Sequence, residues 1–208
     1  MYDDRGFPKY DYGRCKMKMI DITQELFSCN VYPGDRSPIF ERVKTIANDK
    51  YNLTNFSMSV HNGTHMDAPM HFVAGGKAVH ELDLSIFYGK CTVVAFDGTI
   101  NAPDMAKILE NCHERLLFKG QNQLSIEAAE LLANSHVRLV GVESQSVGNA
   151  DNMLQVHVTL LEKEVIPVEG LVLSDVPPGE YILSAFPLRM QDADGSPVRA
   201  VLIDASAV

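Results

Sequence analysis

Two compact runs rich in β-branched and apolar residues, Cys91–Phe96 and Val137–Val142, constrain this chain more than any other feature. Neither run follows a strict apolar-polar alternation, so each predicts a strand covered on both faces, the habit of central strands flanked by helices. The stretches between them supply the cover. Pro103–Cys112 and Ile126–Asn134 carry apolar residues at helical spacing, and Ser125 with Glu127–Glu130 provides a cap and first-turn charge. Gln155–Lys163 predicts a third short helix that ends near Val165-Ile166-Pro167. The first third reads as β-rich: Met19–Thr23, a turn at Pro33-Gly34-Asp35, Phe40–Ile46, and Asn55–Val60. In the last of these Phe56, Met58 and Val60 alternate with polar residues, which predicts a half-buried strand whose polar face ends in His61. Asp194-Gly195, between Leu188 and Ile203, predicts a hairpin turn. The sum is a single α/β domain over residues 17–208, preceded by a peripheral arm, MYDDRGFPKYDYGRCK, over residues 1–16.

Charge and composition exclude several classes of function. With 46% hydrophobic and 22% charged residues the chain can bury a core, so disorder is not expected. A formal charge of -9 repels phosphate backbones and anionic lipid, which argues against nucleic-acid and membrane partners. No apolar run approaches the roughly 18 residues of a membrane span, and no signal-peptide pattern opens the chain, so a cytoplasmic protein is expected. Cys15, Cys29, Cys91 and Cys112 lie far apart without a C-x-x-C pair and read as free thiols. No G-x-S-x-G, Walker or dinucleotide glycine pattern is present.

The chemistry concentrates in residues 61–71, HNGTHMDAPMH, which hold three of the chain's seven histidines and one aspartate. Gly63 and Pro69 interrupt any helix here, so His61 and His65 are not the i, i+4 pair of a helical zinc motif. In an extended strand His65 and Asp67 share a face, and Asn62-Gly63 can turn the chain so that His61 returns towards them. Imidazole and carboxylate ligands without thiolates suit zinc or manganese in a site that keeps room for water. A bound divalent ion lowers the pKa of its water to about 7 and polarises a carbonyl, which is hydrolytic chemistry. His71 reads from spacing as a third ligand, a group that holds Asp67, or a proton-transfer group.

Residues 61–71 fit H-x-G-T-H-x-D-x-P-x-H at every fixed position, and on that motif the chain resembles the cyclase or kynurenine formamidase-like metal hydrolases. The likeness continues in Val31-Tyr32-Pro33-Gly34-Asp35, in Val137–Val142 and in the Asp194–Ala200 stretch DGSPVRA. The resemblance implies a swivelling β/β/α fold with a mixed central sheet. It implies two metal ions per chain, usually zinc, held by His61, His65 and Asp67 with His157 and Glu169, Asp67 bridging them. It gives His71 the role of general acid and base, and it implies a homo-oligomer, commonly a dimer whose partner chain lines the pocket. The expected reaction is hydrolysis of a small formamide or related amide. The family's isatin-hydrolysing branch, with one manganese ion, offers the opening of a cyclic amide or lactone instead, and a non-catalytic metal-binding or ligand-sensing protein is a third reading. The chain departs from the pattern at Arg115–Gln121, where many members carry an Arg-Thr ending and an aromatic-rich loop, so a different pocket is expected. Without tryptophan, an aromatic substrate must stack on Phe27, Tyr32, Phe72 or Phe186.

Overall fold

A computed structural model describes residues 18–204. The expected arm over residues 1–16, with Cys15, lies outside the described residues. The strands run in chain order as β1 (Lys18–Asp21), β2 (Ile39–Lys44), β3 (Leu53–Ser57), β4 (His65–Asp67), β5 (Tyr88–Ala95), β6 (Gly98–Ile100) and β7 (Arg115–Lys119). They continue as β8 (Asn122–Leu124), β9 (Leu139–Val142), β10 (Ile166–Glu169), β11 (Gly179–Ser184), β12 (Gly195–Pro197) and β13 (Val201–Asp204). The helices are α1 (Ile46–Asp49), α2 (Ala102–Leu109), α3 (Ile126–Ala133) and α4 (Met153–Leu161). Nine strands form one mixed sheet in the order β1-β13-β11-β5-β7-β9-β10-β4-β12. Its centre, β5-β7-β9-β10, is parallel, and both flanks are antiparallel. The fold is therefore the expected single α/β domain built on a mixed sheet.

The centre of the sheet is where the expectations were firmest. β5 and β9 both stand among its inner strands: β9 is buried at all four positions and covered on both sides, whereas β5 buries Cys91 and Val93 on one face and leaves Thr92 and Val94 half-buried on the other. β7 lies between them, and Leu116 and Phe118 face one core while Leu117 faces the other. The first core belongs to the helices: Met105 of α2, Leu132 of α3 and Leu160 of α4 close over that face of the sheet. The helices begin where polar caps allow. Asn101 and Asp104 form a reciprocal capping pair at α2, and Ser125 Oγ accepts from the Ala128 amide at α3.

Two expectations fail at the periphery. β3 is not half-buried: it pairs only with β2, in a hairpin outside the main sheet, and Phe56 remains 59% exposed. The strand also stops at Ser57, so His61 lies in a turn beyond it instead of ending its polar face. Asp194-Gly195 is not a hairpin turn either. Gly195 opens β12, which pairs antiparallel with β4 and sets Gly195 opposite Asp67. In both cases a local pattern was overruled by which segment lay nearby to pair with it.

Candidate metal centre

β4 carries the site because it is short, buried and paired on both edges. Met66 points into the core at 0% exposure, and period-two geometry sends His65 and Asp67 to the opposite face. On one side β10 sets Glu169 directly across from His65. The turn before β4 is held by side chains. The Ser59 amide donates to Asn62 Oδ1 at 2.8 Å, and Gly63 adopts φ +66°, a left-handed conformation that favours glycine. Thr64 Oγ1 donates to the Gly170 carbonyl at 2.6 Å and accepts from the Gln24 amide at 2.9 Å, fastening the turn to the end of β10. His61 is thereby returned over the face that His65 and Asp67 share.

All six residues anticipated for the site converge. His61, His65 and Asp67 place one ligand atom each within 4.8 Å of one another, and so do Asp67, His157 and Glu169. Asp67 belongs to both sets through different atoms. Its Oδ1 lies 2.9 Å from His61 Nδ1 and 3.6 Å from His65 Nε2, while its Oδ2 lies 3.4 Å from His157 Nε2. Glu169 closes the cluster with Oε1 at 3.1 Å from His157 Nε2 and Oε2 at 3.5 Å from His65 Nε2. The Val147 amide donates to Glu169 Oε1 at 2.9 Å and aims that carboxylate. Asp67 and Glu169 are almost wholly buried, and their neutralising partners are these histidines.

Each clustered histidine has one ring nitrogen engaged away from its cluster neighbours. His65 Nδ1 faces the Gly63 carbonyl at 2.9 Å, His157 Nδ1 faces the Met153 carbonyl one helical turn back at 2.8 Å, and His61 Nε2 faces Asp194 Oδ2 at 3.0 Å. Such acceptors take the N–H and leave the other nitrogen's lone pair for an ion, the arrangement that metal-ligating histidines use. The donor set, three imidazoles and two carboxylates with no sulfur, fits a divalent ion of the zinc or manganese type.

Proton affinities in the cluster agree with this. Burial works against charge on His61, but the Asp67 and Asp194 carboxylates outweigh it and push its pKa up to about 9. At His157 burial is likewise overcome by Asp67 and Glu169, which push it up to about 10. His65 is raised in the same sense, against burial, by Glu169 and Asp67. Asp67 is held below the usual carboxylate range because its histidine partners outweigh the burial that would raise it. Two buried carboxylates that attract protons to the facing nitrogens form a site a cation can take by displacing them. His71 differs: burial lowers its pKa, more than the nearby carboxylates raise it. It sits in the 3-10 turn Pro69–His71, with its ring stacked on His61 at 4.0 Å between centroids.

The cluster lines a cavity of about 240 Å³ whose other walls include Tyr32, Phe72, Gln145, Ser146 and Met153. Of the four aromatic residues considered for substrate stacking, Tyr32 and Phe72 line it and the other two are engaged elsewhere. Phe27 packs against Phe40 at 5.4 Å between ring centroids, and Phe186 stacks on Tyr88 at 6.1 Å. Asp194 was absent from the sequence-level site. Its signal was there, in the DGSPVRA stretch, but read as a turn.

Comparison with known proteins gives a consistent picture. A family model described as "Putative cyclase" matches residues 20–149. A kynurenine formamidase of Salinibacter ruber (strain DSM 13855 / M31) is 35% identical over 211 residues, spanning 91% of this chain and 99% of that protein. A solved structure described as a predicted metal-dependent hydrolase from Bacillus stearothermophilus superposes with a TM-score of 0.78 at 29% identity, covering 90% of this chain and 98% of the other. Isatin hydrolase A from Ralstonia solanacearum superposes equally well, TM-score 0.78 over 92% of this chain and 93% of its own, at 20% identity, and so shares the fold.

Proposed function

The chain belongs to the cyclase family, and from that premise we propose that it is a metal-dependent amidohydrolase that cleaves the C–N bond of a small aryl formamide or related amide. The observation that carries this reading is the double ligand set sharing Asp67, with His71 stacked beside it at the wall of the cavity. His61, His65 and Asp67 would hold one divalent ion and Asp67, His157 and Glu169 a second, with zinc the ion that nitrogen and oxygen donors of this kind suit. When bound, the ions supply Lewis acidity towards the carbonyl oxygen and an activated water. His71, kept neutral by burial, takes a proton as water adds to the carbonyl and returns it to the departing nitrogen, so that a formamide yields formate and an amine. Tyr32 and Phe72 supply the apolar walls against which the aryl group rests.

A homodimer in the cytoplasm completes the reading. Its support is the β2–β3 hairpin, where Ile39, Phe40 and Phe56 are 65%, 50% and 59% exposed, with Phe27 beside them. A two-stranded hairpin is marginal alone, and a second copy of this chain would cover those rings. No helix of the described residues is long and apolar enough to cross a membrane.

Metal analysis of the purified protein, followed by turnover of a panel of aryl formamides, cyclic amides and lactones, tests the proposal. Two zinc equivalents per chain and preference for the formamides are expected, with His61→Ala losing metal and His71→Ala keeping metal but losing turnover. Intact metal and hydrolysis in His61→Ala would overturn the reading. Stoichiometric metal with no turnover of any substrate would replace the enzyme with a ligand-sensing protein. Light scattering across a concentration series reports the dimer.

A further inference from the structure

Asp194 stands outside both ligand sets that share Asp67, yet it touches the two histidines on either side of the divide between binding and chemistry. Its Oδ2 lies 3.0 Å from His61 Nε2 and 3.2 Å from His71 Nδ1. Those two rings are stacked with an interplanar angle of 25°, so a single carboxylate oxygen reaches the edge of both. The backbone under Asp194 is held in register with the site: its carbonyl accepts from the Ala68 amide at 2.8 Å, the preceding Ala193 carbonyl accepts from the Val79 amide at 3.0 Å, and Gly195 faces Asp67 across the β4–β12 pair. Gly195 admits the approach. A Cβ there would lie 2.6 Å from His61 Cε1, so a side chain at that position would push the ring off Asp194 and Asp67.

An imidazole has two nitrogens, and which one is free is decided by what holds the other. His61 presents Nδ1 to Asp67 Oδ1 at 2.9 Å and Nε2 to Asp194 Oδ2 at 3.0 Å, so with an ion held at Nδ1 the ring's one N–H would be on Nε2, donated to Asp194. His71 presents Nδ1 to the same oxygen, which turns its Nε2 away from Asp194. We propose that Asp194 is a positioning residue that sets both rings at once, holding His61 with Nδ1 towards the ion it would bind with His65 and Asp67, and His71 with Nε2 towards the substrate. This rests on the ligand and proton-transfer roles given above to His61 and His71. It adds a coupling: the group that orients the ligand also orients the acid-base residue, so metal binding and proton transfer depend on one side chain that contacts neither substrate nor ion.

The test uses the full chain with zinc and N-formylaniline as probes, in wild type, Asp194→Ala, His71→Ala and the double variant. The carboxylate is 45% exposed, so the fold is expected to survive, and a cooperative melting transition retained after chelation checks this; Asp194→Asn serves if the alanine variant does not fold. Zinc affinity by chelator competition should fall on the order of 10- to 100-fold, the usual loss when the partner of a ligating histidine is removed. In wild type and Asp194→Ala at equal zinc loading, kcat should fall by a similar factor with KM within about threefold. In the His71→Ala background the loss in kcat should shrink to within about threefold while the loss in zinc affinity persists, because only the first acts through His71. Long-range ¹H–¹⁵N spectra of the zinc-loaded protein should show His71 protonated at Nδ1 in wild type and shifted to the Nε2–H form in Asp194→Ala. The proposal is overturned if zinc affinity and kcat stay within twofold with the His71 tautomer unmoved, if the kcat loss is undiminished without His71, or if wild type binds one zinc equivalent more than Asp194→Ala, which would make Asp194 a ligand. If His61→Ala and His71→Ala are themselves silent, the functional reading fails first, and that result is separate from any seen in the Asp194 variants.

Discussion

β3 and β4 are separated by seven residues and begin from the same kind of sequence, yet one is exposed at all five positions and the other buried at all three. β4 alternates polar and apolar side chains, and so does Asn55–Val60, the stretch that carries the end of β3. β4 is paired on both edges, with β10 and β12, inside a nine-stranded sheet, while β3 has β2 alone. The difference teaches that alternation selects which side chains share a face, and that a face becomes core or surface only when something is packed on it. It also explains where chemistry can reside. On β4 the ionisable groups are shut away from water, and each must find a charged or hydrogen-bonding partner, which forces His65 and Asp67 into a cluster with Glu169 and His157. On β3 nothing compels the polar groups to pair.

Substitutions that treat the two strands alike should therefore give unlike results. The largest effect is expected at Asp67, the carboxylate common to both ligand sets. Asp67→Asn should lower turnover by at least about a thousandfold, about 4 kcal/mol in transition-state terms, and at least halve bound zinc, as read by steady-state kinetics and metal analysis. Next comes the core side of the same strand: Met66→Ala should cost about 2–5 kcal/mol in urea unfolding, since its side chain is completely enclosed. Gly195→Ala follows, with activity down on the order of 10- to 100-fold, about 1.4–2.7 kcal/mol, because the new methyl displaces the His61 ring. The smallest is Phe56→Ala on β3, which should stay within about 0.5 kcal/mol in dilute solution while weakening self-association by light scattering. A loss of 2 kcal/mol or more from Phe56→Ala in the monomer would break the comparison.

Proton linkage sharpens it further. In the chelated protein His61 and His157 hold their protons up to about 9 and about 10, against 6.5 for an unperturbed ring. Their contribution to stability is complete below pH 6.5 and is lost as pH rises through about 9 to 10. Urea unfolding of the chelated protein should weaken over that window. Zinc-loaded protein should show a smaller slope, because the ion replaces those protons. A chelated protein whose stability is flat across the window would contradict the histidine-carboxylate pairing.

Much of this is legible in the amino-acid sequence. β9 is announced by the unbroken apolar run that a strand covered on both faces needs, β5 by its density of β-branched residues, and α2 and α3 by spacing and caps that agree. His61, His65 and Asp67 were legible as a group because they lie within seven residues and the turn between them is written in Asn62-Gly63. His157 and Glu169 entered through family resemblance, since nothing in their own surroundings marks a helix-face histidine or a strand carboxylate as a ligand. Asp194 did not enter at all. Its meaning depends on β12 pairing with β4, where Gly195 lies opposite Asp67 across 128 positions of the chain, and a local Asp-Gly pattern carries no record of so distant a partner.

What the sequence by itself determined is local: which residues alternate, where helices begin, and that two imidazoles and a carboxylate stand close enough along the chain to meet. Dihedral preferences, caps and side-chain periodicity act over a few residues, and these they decide. The tertiary structure alone decided that β3 is left uncovered, that Glu169 lies across from His65, and that one oxygen of Asp194 serves both His61 and His71. Those outcomes depend on strand pairing between segments far apart in the chain, where the free energy of burying a whole face outweighs any single residue's preference.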